Sequence, residues 1–83
     1  MSVEEKVKEI LLEILDIKEE DIVPTATFID DLKATSIDLV EIFTAFQNTF
    51  DVNIDEAQIA KVKTVQDAID LLQSAIARKG APL

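Results

Sequence analysis

The sequence predicts an all-α fold, a small four-helix bundle of three main helices plus one short helix, with a long first loop. Three observations carry that prediction. Apolar residues recur at spacings of three and four in three separate segments, the pattern that gathers side chains on one helical face. Glycine occurs once and proline twice in 83 residues, too rarely for a turn-rich β fold, a collagen repeat or a disordered chain. Hydrophobic residues make up 48% and charged residues 30%, which supplies both a core and a solvated surface.

The first helix is predicted over 3–15. Val3, Val7, Ile10, Leu11, Ile14 and Leu15 form its stripe, and Ser2 with Glu5 has the spacing of a capping box. Residues 16–35 have no clean period. Pro24 pushes Val23 towards an extended conformation, and Ile17, Ile22, Phe28, Ile29 and Leu32 are expected to anchor the loop across the core. A helical turn within it is expected. The second helix is predicted over 36–50, with Thr35 and Asp38 as a capping box and Leu39, Ile42, Phe43, Phe46 and Phe50 facing the core. Ile37 and Val40 fall on another side, beside Glu41, Thr44 and Asn48. A helix apolar on two sides is buried all round or keeps a contact face for a partner.

Ile54, Ala57, Ile59 and Val62 suit only a short helix within 54–62. The last helix is predicted over 65–79, capped by Thr64 with Asp67, its stripe made by Val65, Ala68, Ile69, Leu72, Ala75 and Ile76. Arg78 and Lys79 suit its C-terminal dipole, and Gly80 is a natural stop. Residues 1–80 therefore read as one domain and 81–83 as a tail. The capped first helix and short tail read as a free-standing chain. A domain of this size buries only roughly 60–65% of its unfolded surface, so its net stability is about a few kcal/mol.

The chemistry is bounded by what is missing. Cysteine and histidine are both absent, so no disulfide, thiolate zinc site or Ser-His-Asp triad can be built. The net charge of −9 repels nucleic acid and anionic membranes and favours basic protein partners. No basic leader followed by an apolar run opens the chain, and no run approaches transmembrane length. A cytoplasmic monomer is expected.

No metal site is expected either. Residues 51–62 open with Asp51, Asn53 and Asp55 at calcium-loop spacing. Glu56 then replaces the glycine of the sharp turn and Val62 the bidentate glutamate, so Asn53 or Asp55 reads instead as the cap of the short helix. The acidic runs Glu19-Glu20-Asp21 and Asp30-Asp31 read as solvated charge. Of three serines, Ser2 is a terminal cap and Ser74 lies late in the last helix. Ser36 opens the second helix just after its cap, where an exposed hydroxyl lies beside free backbone N–H groups and the positive end of a dipole. It either supports the helix start or offers a handle to another enzyme. With no histidine, it has no such internal base to activate it as a nucleophile.

At this point the chain resembles the acyl carrier proteins over nearly its whole length. The family holds its modified serine in an Asp-Leu-Gly-Ala-Asp-Ser-Leu stretch at the start of the second helix, and Asp31-Leu32-Lys33-Ala34-Thr35-Ser36-Ile37 stands in that place. Asp38, Val40 and Glu41 follow as in the family. Phe28, Ala45, Phe50, Ile54-Asp55-Glu56, Thr64-Val65 and Asp67-Ala68 also fall where the family has such residues.

The resemblance implies a non-enzymatic carrier. Ser36 would bear 4'-phosphopantetheine, donated from coenzyme A by a phosphopantetheinyl transferase, and acyl groups would ride on it as thioesters. Acyl-loading, condensing or acyl-transferring enzymes would meet Ile37, Asp38, Val40 and Glu41 with basic docking patches. Phe28, Ile42, Phe43, Phe46, Ile54, Ile59, Ile69 and Leu72 would line an acyl pocket or simply pack the core.

Three departures point to a specialised member. Thr35 replaces an acidic residue, Lys33 replaces a glycine, and Gln47, Asn48 and Thr49 stand where the family is often acidic. At Lys33 either no positive φ is needed or the loop turns differently. An unmodified helical interaction module and a peptidyl or D-alanyl carrier are the competing readings.

Overall fold

The computed structural model describes residues 2–80; the tail at 81–83 lies outside the described residues. Four α-helices follow in order: α1 Val3–Ile14, α2 Ser36–Phe50, α3 Glu56–Lys61 and α4 Val65–Gly80. A 3-10 turn, Glu19–Asp21, interrupts the long first loop. α1 packs on both α2 and α4, and α2 touches α4.

Each helix start is built by its own sequence. The Ser2 hydroxyl accepts from Glu5 N–H at 3.2 Å. Thr35 and Asp38 form the expected reciprocal box, with Asp38 N–H donating to Thr35 Oγ1 at 3.1 Å and Thr35 N–H donating to Asp38 Oδ2 at 2.9 Å. Thr64 and Asp67 repeat the arrangement at 3.1 Å in both directions. Asp55 is the N-cap of α3, and its N–H donates to Gln58 Oε1 at 3.1 Å. These side chains satisfy backbone donors that have no intrahelical acceptor.

The core is continuous across the bundle. Val7 and Leu11 of α1, Ile42, Phe43 and Phe46 of α2, and Ala68 and Leu72 of α4 are buried. Phe43 meets Phe46 edge-on at 5.3 Å between centroids, and Phe28 meets Phe43 at 6.4 Å. No side-chain polar atom is buried without a partner among the described residues.

The long loop is pinned at two levels. Ile22, Phe28 and Leu32 are buried as expected, and Ala26 and Ala34 join them. Ile29 is a correction: it is 62% exposed rather than an anchor. Its neighbour Phe28 is buried, and a loop side chain adjacent to an inward one tends to point out, as along a strand. The backbone is tied as well. Thr27 and Thr64 form an isolated antiparallel bridge. Phe28 N–H donates to Lys63 C=O, and Val65 N–H donates to Ala26 C=O, both at 3.0 Å. The loop thus rests on the connection between α3 and α4.

The C-terminal end of α2 has a cross-helix cap. Asp51 ends α2 with φ 53°, a left-handed position that aspartate tolerates. Lys79 of α4 reaches Asp51 Oδ2 at 3.0 Å and Phe50 C=O at 3.4 Å. Lys79 therefore serves the dipole of α2 as well as its own helix. Asp51 is engaged here, and Asp55 stands at the N-cap of α3 with its N–H held by Gln58.

Phe28→Ala should cost about 3–5 kcal/mol, comparable to the whole stability of the domain, whereas Ile29→Ala should change it by no more than about 0.5 kcal/mol. Urea denaturation of the two variants checks this, and equal losses would contradict the assigned anchors.

Candidate functional site

The segment leading into α2 is folded by its own hydrogen bonds. Asp31 Oδ2 accepts from Thr27 N–H at 2.8 Å and from the Thr27 hydroxyl at 3.1 Å. The Thr27 hydroxyl in turn accepts from Asp31 N–H at 3.1 Å. Leu32 N–H donates to Thr27 C=O at 3.0 Å, and Ala34 N–H donates to Phe28 C=O at 2.8 Å. The chain is closed on itself immediately before the cap of α2.

Lys33 lies within this closed turn at φ 59°. The loop does need a left-handed residue here, so the reading in which no positive φ is required is set aside. Lysine occupies that conformation at a cost of about 1–2 kcal/mol that glycine would avoid. The surrounding hydrogen bonds and the burial of Leu32 and Ala34 hold it there.

Ser36 follows as the first residue of α2 and is exposed. Thr35 and Asp38 supply the cap between them, which leaves the Ser36 hydroxyl without a capping duty. The first N–H groups of the helix lack intrahelical acceptors and point towards the N-terminal side, where an anionic group is favoured. A phosphodiester on Ser36 Oγ fits this position.

A cleft of about 420 Å³ runs from Ser36 along α2. Its α2 wall is Ser36, Leu39, Val40, Phe43, Thr44 and Gln47. Its opposite wall is Ile54, Glu56, Ile59 and Ala60, from the segment before α3 and from α3 itself. A second cleft of about 340 Å³ lies between the long loop and α3, with Phe28 and Ile29 on one side and Val62 and Lys63 on the other. Leu39 and Ala60 border both.

Of the eight residues expected at an acyl pocket, Phe43, Ile54 and Ile59 border the Ser36 cleft and Phe28 borders the second. Ile42, Phe46, Ile69 and Leu72 border neither and are buried in the core. For these four the core-packing alternative holds, since a single helical stripe does not separate residues beneath a cleft from residues on its wall. Ile37 and Val40 are 71% and 67% exposed, the most exposed large apolar side chains of α2. Glu41 is also exposed, whereas Asp38 is half-buried and its carboxylate is held by the cap.

Gln47 was not anticipated as a site residue. Its amide joins α2 to the next segment, accepting from Ile54 N–H at 3.0 Å and donating to Phe43 C=O at 3.3 Å. The spacing of Thr27 and Asp31 allows a side-chain-closed turn, a signal that the reading of Asp30-Asp31 as solvated charge passes over. Among the described residues no group of three or more acidic, cysteine or histidine side chains could hold a metal ion.

The model for the phosphopantetheine attachment site matches residues 5–72 of the chain. The chain belongs to the acyl carrier protein family. It is 45% identical over 73 residues to the acyl carrier protein of Buchnera aphidicola subsp. Acyrthosiphon pisum (strain 5A), an alignment covering 88% of this chain and 91% of that one. Its fold is similar to that of the acyl carrier protein from Enterococcus faecalis, with a TM-score of 0.72 at 27% identity, covering 90% of this chain and 99% of that one. The protein is thus a non-catalytic carrier with a phosphopantetheine attachment site, built on the expected helices. No helix among its described residues is long and apolar enough to cross a membrane.

Two carboxylates of this carrier respond to pH through its folded state. Backbone N–H donation from Thr27 holds Asp31 below the ordinary carboxylate range, with the Thr27 hydroxyl and the charge of Lys33 adding to it. Asp67 is lowered likewise by the N–H groups of Thr64 and Lys63. A carboxylate lowered by folding stabilises the native state above its unfolded pKa, about 3.9, and loses that contribution as pH falls through the lower folded value. Asp31→Asn should therefore melt below the parent chain at neutral pH, and the gap should close as pH drops below about 4. Thermal melts from neutral pH to strong acid check this; a gap independent of pH would contradict it.

Proposed function

We propose that Ser36 is the attachment residue and that the carrier serves acyl transfer in fatty-acid, polyketide or related biosynthesis as a specialised member of its family. The observation that carries the reading is an exposed hydroxyl on the first residue of a helix whose cap is made wholly by its neighbours. When bound, the arm supplies a thiol on which an acyl group rides as a thioester, chemistry that a chain without cysteine cannot supply itself.

The residues of this chain then have three tasks. Ser36 Oγ offers a lone pair on the protein surface to the pyrophosphate of coenzyme A: a P–O bond to Oγ would form, the P–O bond to adenosine 3',5'-bisphosphate would break and that group leave, and the serine proton would go to a base of the phosphopantetheinyl transferase. The open end of α2 favours the resulting phosphodiester charge. The cleft beside Ser36, through Leu39, Phe43, Ile54 and Ile59, offers an apolar shelter for the acyl group.

Ile37, Val40 and Glu41 form the face that partner enzymes meet, with Asp38 contributing its charge from within the cap. A partner of matching chemistry carries a basic patch around a small apolar socket. Charge accelerates encounter, and the two apolar side chains set the fit. The acidic face is short, since Thr35 precedes Ser36 and Gln47, Asn48 and Thr49 end the helix without charge. This favours partners that rely on the apolar contact more than on a long run of ion pairs, and it supports a specialised carrier.

Ser36→Ala should keep the melting temperature within a few degrees, because the cap and the core are untouched. The same variant should gain no mass on incubation with coenzyme A and a broad-specificity transferase, while the parent chain gains one phosphopantetheine. Mass gain by the variant, or none by the parent under conditions that load a control carrier, would overturn the assignment and favour an unmodified interaction module.

A further inference from the structure

We infer that Gln47 is a polar stop that sets how long an acyl chain the cleft can shelter. The inference rests on the reading of the Ser36 cleft as the acyl shelter. Gln47 sits three turns along α2 from Ser36, about 16 Å at the helical rise, at the far end of the apolar lining. It also borders a second hollow of about 310 Å³, whose other walls are Thr44, Asn48, Asp51, Val52 and Asn53. The side chain thus divides an apolar cleft from a polar one.

The partition is fixed rather than loose. Gln47 Oε1 accepts from Ile54 N–H and Gln47 Nε2 donates to Phe43 C=O, at 3.0 and 3.3 Å. Moving the amide aside leaves a part-buried N–H without its acceptor, which is unfavourable. Methylenes short of Gln47 gain contact with Leu39, Phe43 and Ile59. Those beyond it meet amide and carboxylate groups and gain nothing by leaving water. A longer chain must end at the partition, fold back or leave the cleft. Leucine at this position would let the apolar surface continue.

The test loads the full chain at Ser36 with a graded series of straight saturated acyl groups, each two carbons longer than the last, using the acyl-coenzyme A thioesters and a transferase. In the parent chain the melting temperature should rise with each step and then level off. At the levelling length the NMR signals of the Gln47 side-chain amide and the Ile54 N–H should shift, and longer chains should move them no further. In Gln47→Leu the rise should continue past that length. Levelling at the same length in the variant, or Gln47 and Ile54 signals indifferent to chain length, would overturn the stop while leaving the shelter in place. No dependence of melting temperature on chain length in the parent would overturn the shelter itself. Gln47→Leu removes the acceptor of Ile54 N–H, so if it does not fold the signals of the parent chain decide.

Discussion

Phe28 is the point on which the arrangement turns. Its ring is buried against Phe43, its N–H is bound to Lys63 C=O, and its C=O is bound by Ala34 N–H. One residue therefore joins the long loop to the core, to the α3–α4 connection and to the approach of α2. The contacts differ in kind. Burial of the ring supplies the energy, and the two backbone hydrogen bonds supply direction, because each satisfies a group that burial would otherwise leave unpaired. Loss of either would leave the loop to Ile22, Leu32 and the Val65–Ala26 hydrogen bond and would loosen the entry to α2.

The consequence is a division of labour along a few residues. Thr27 and Asp31 close the turn, Lys33 takes the left-handed corner, Thr35 and Asp38 cap the helix, and Ser36 remains free of structural duty. A residue that a second enzyme must reach and derivatise is best placed where no hydrogen bond of the fold depends on it. α2 then separates its faces by angle. Ile42 and Phe46 hold the core, Ser36, Val40 and Gln47 border the cleft, and Ile37 and Glu41 are presented outward. On the proposed function, α2 serves packing, cargo and partner together, with Phe43 shared between core and cleft and Val40 between cleft and partner face.

Much of this was legible in the sequence, and the physical reasons are specific. α2 runs over the predicted 36–50 because Thr35, Asp38 and the apolar period all point the same way. The exposure of Ile37 and Val40 follows from the same angular arithmetic. What was not legible depends on contacts distant in sequence. The bridge between Thr27 and Thr64, the reach of Lys79 to the end of α2 and the clip from Gln47 to Ile54 have no local pattern. Ile29 was misplaced because a loop without a period does not tell inward from outward. For Ile42, Phe46, Ile69 and Leu72 the choice between pocket and core was open, because periodicity marks a face and not its depth. Lys33 hid a left-handed turn, since composition points to such turns only when glycine occupies them.

The proposed carrier function stands on a single atom, Ser36 Oγ, held in the open by a loop that asks nothing of it. Its most direct test is to fragment the loaded chain by tandem mass spectrometry and locate the added group. Every loaded molecule should give fragments that place phosphopantetheine on Ser36. Fragments placing it on Ser2, Ser74 or a threonine would contradict it.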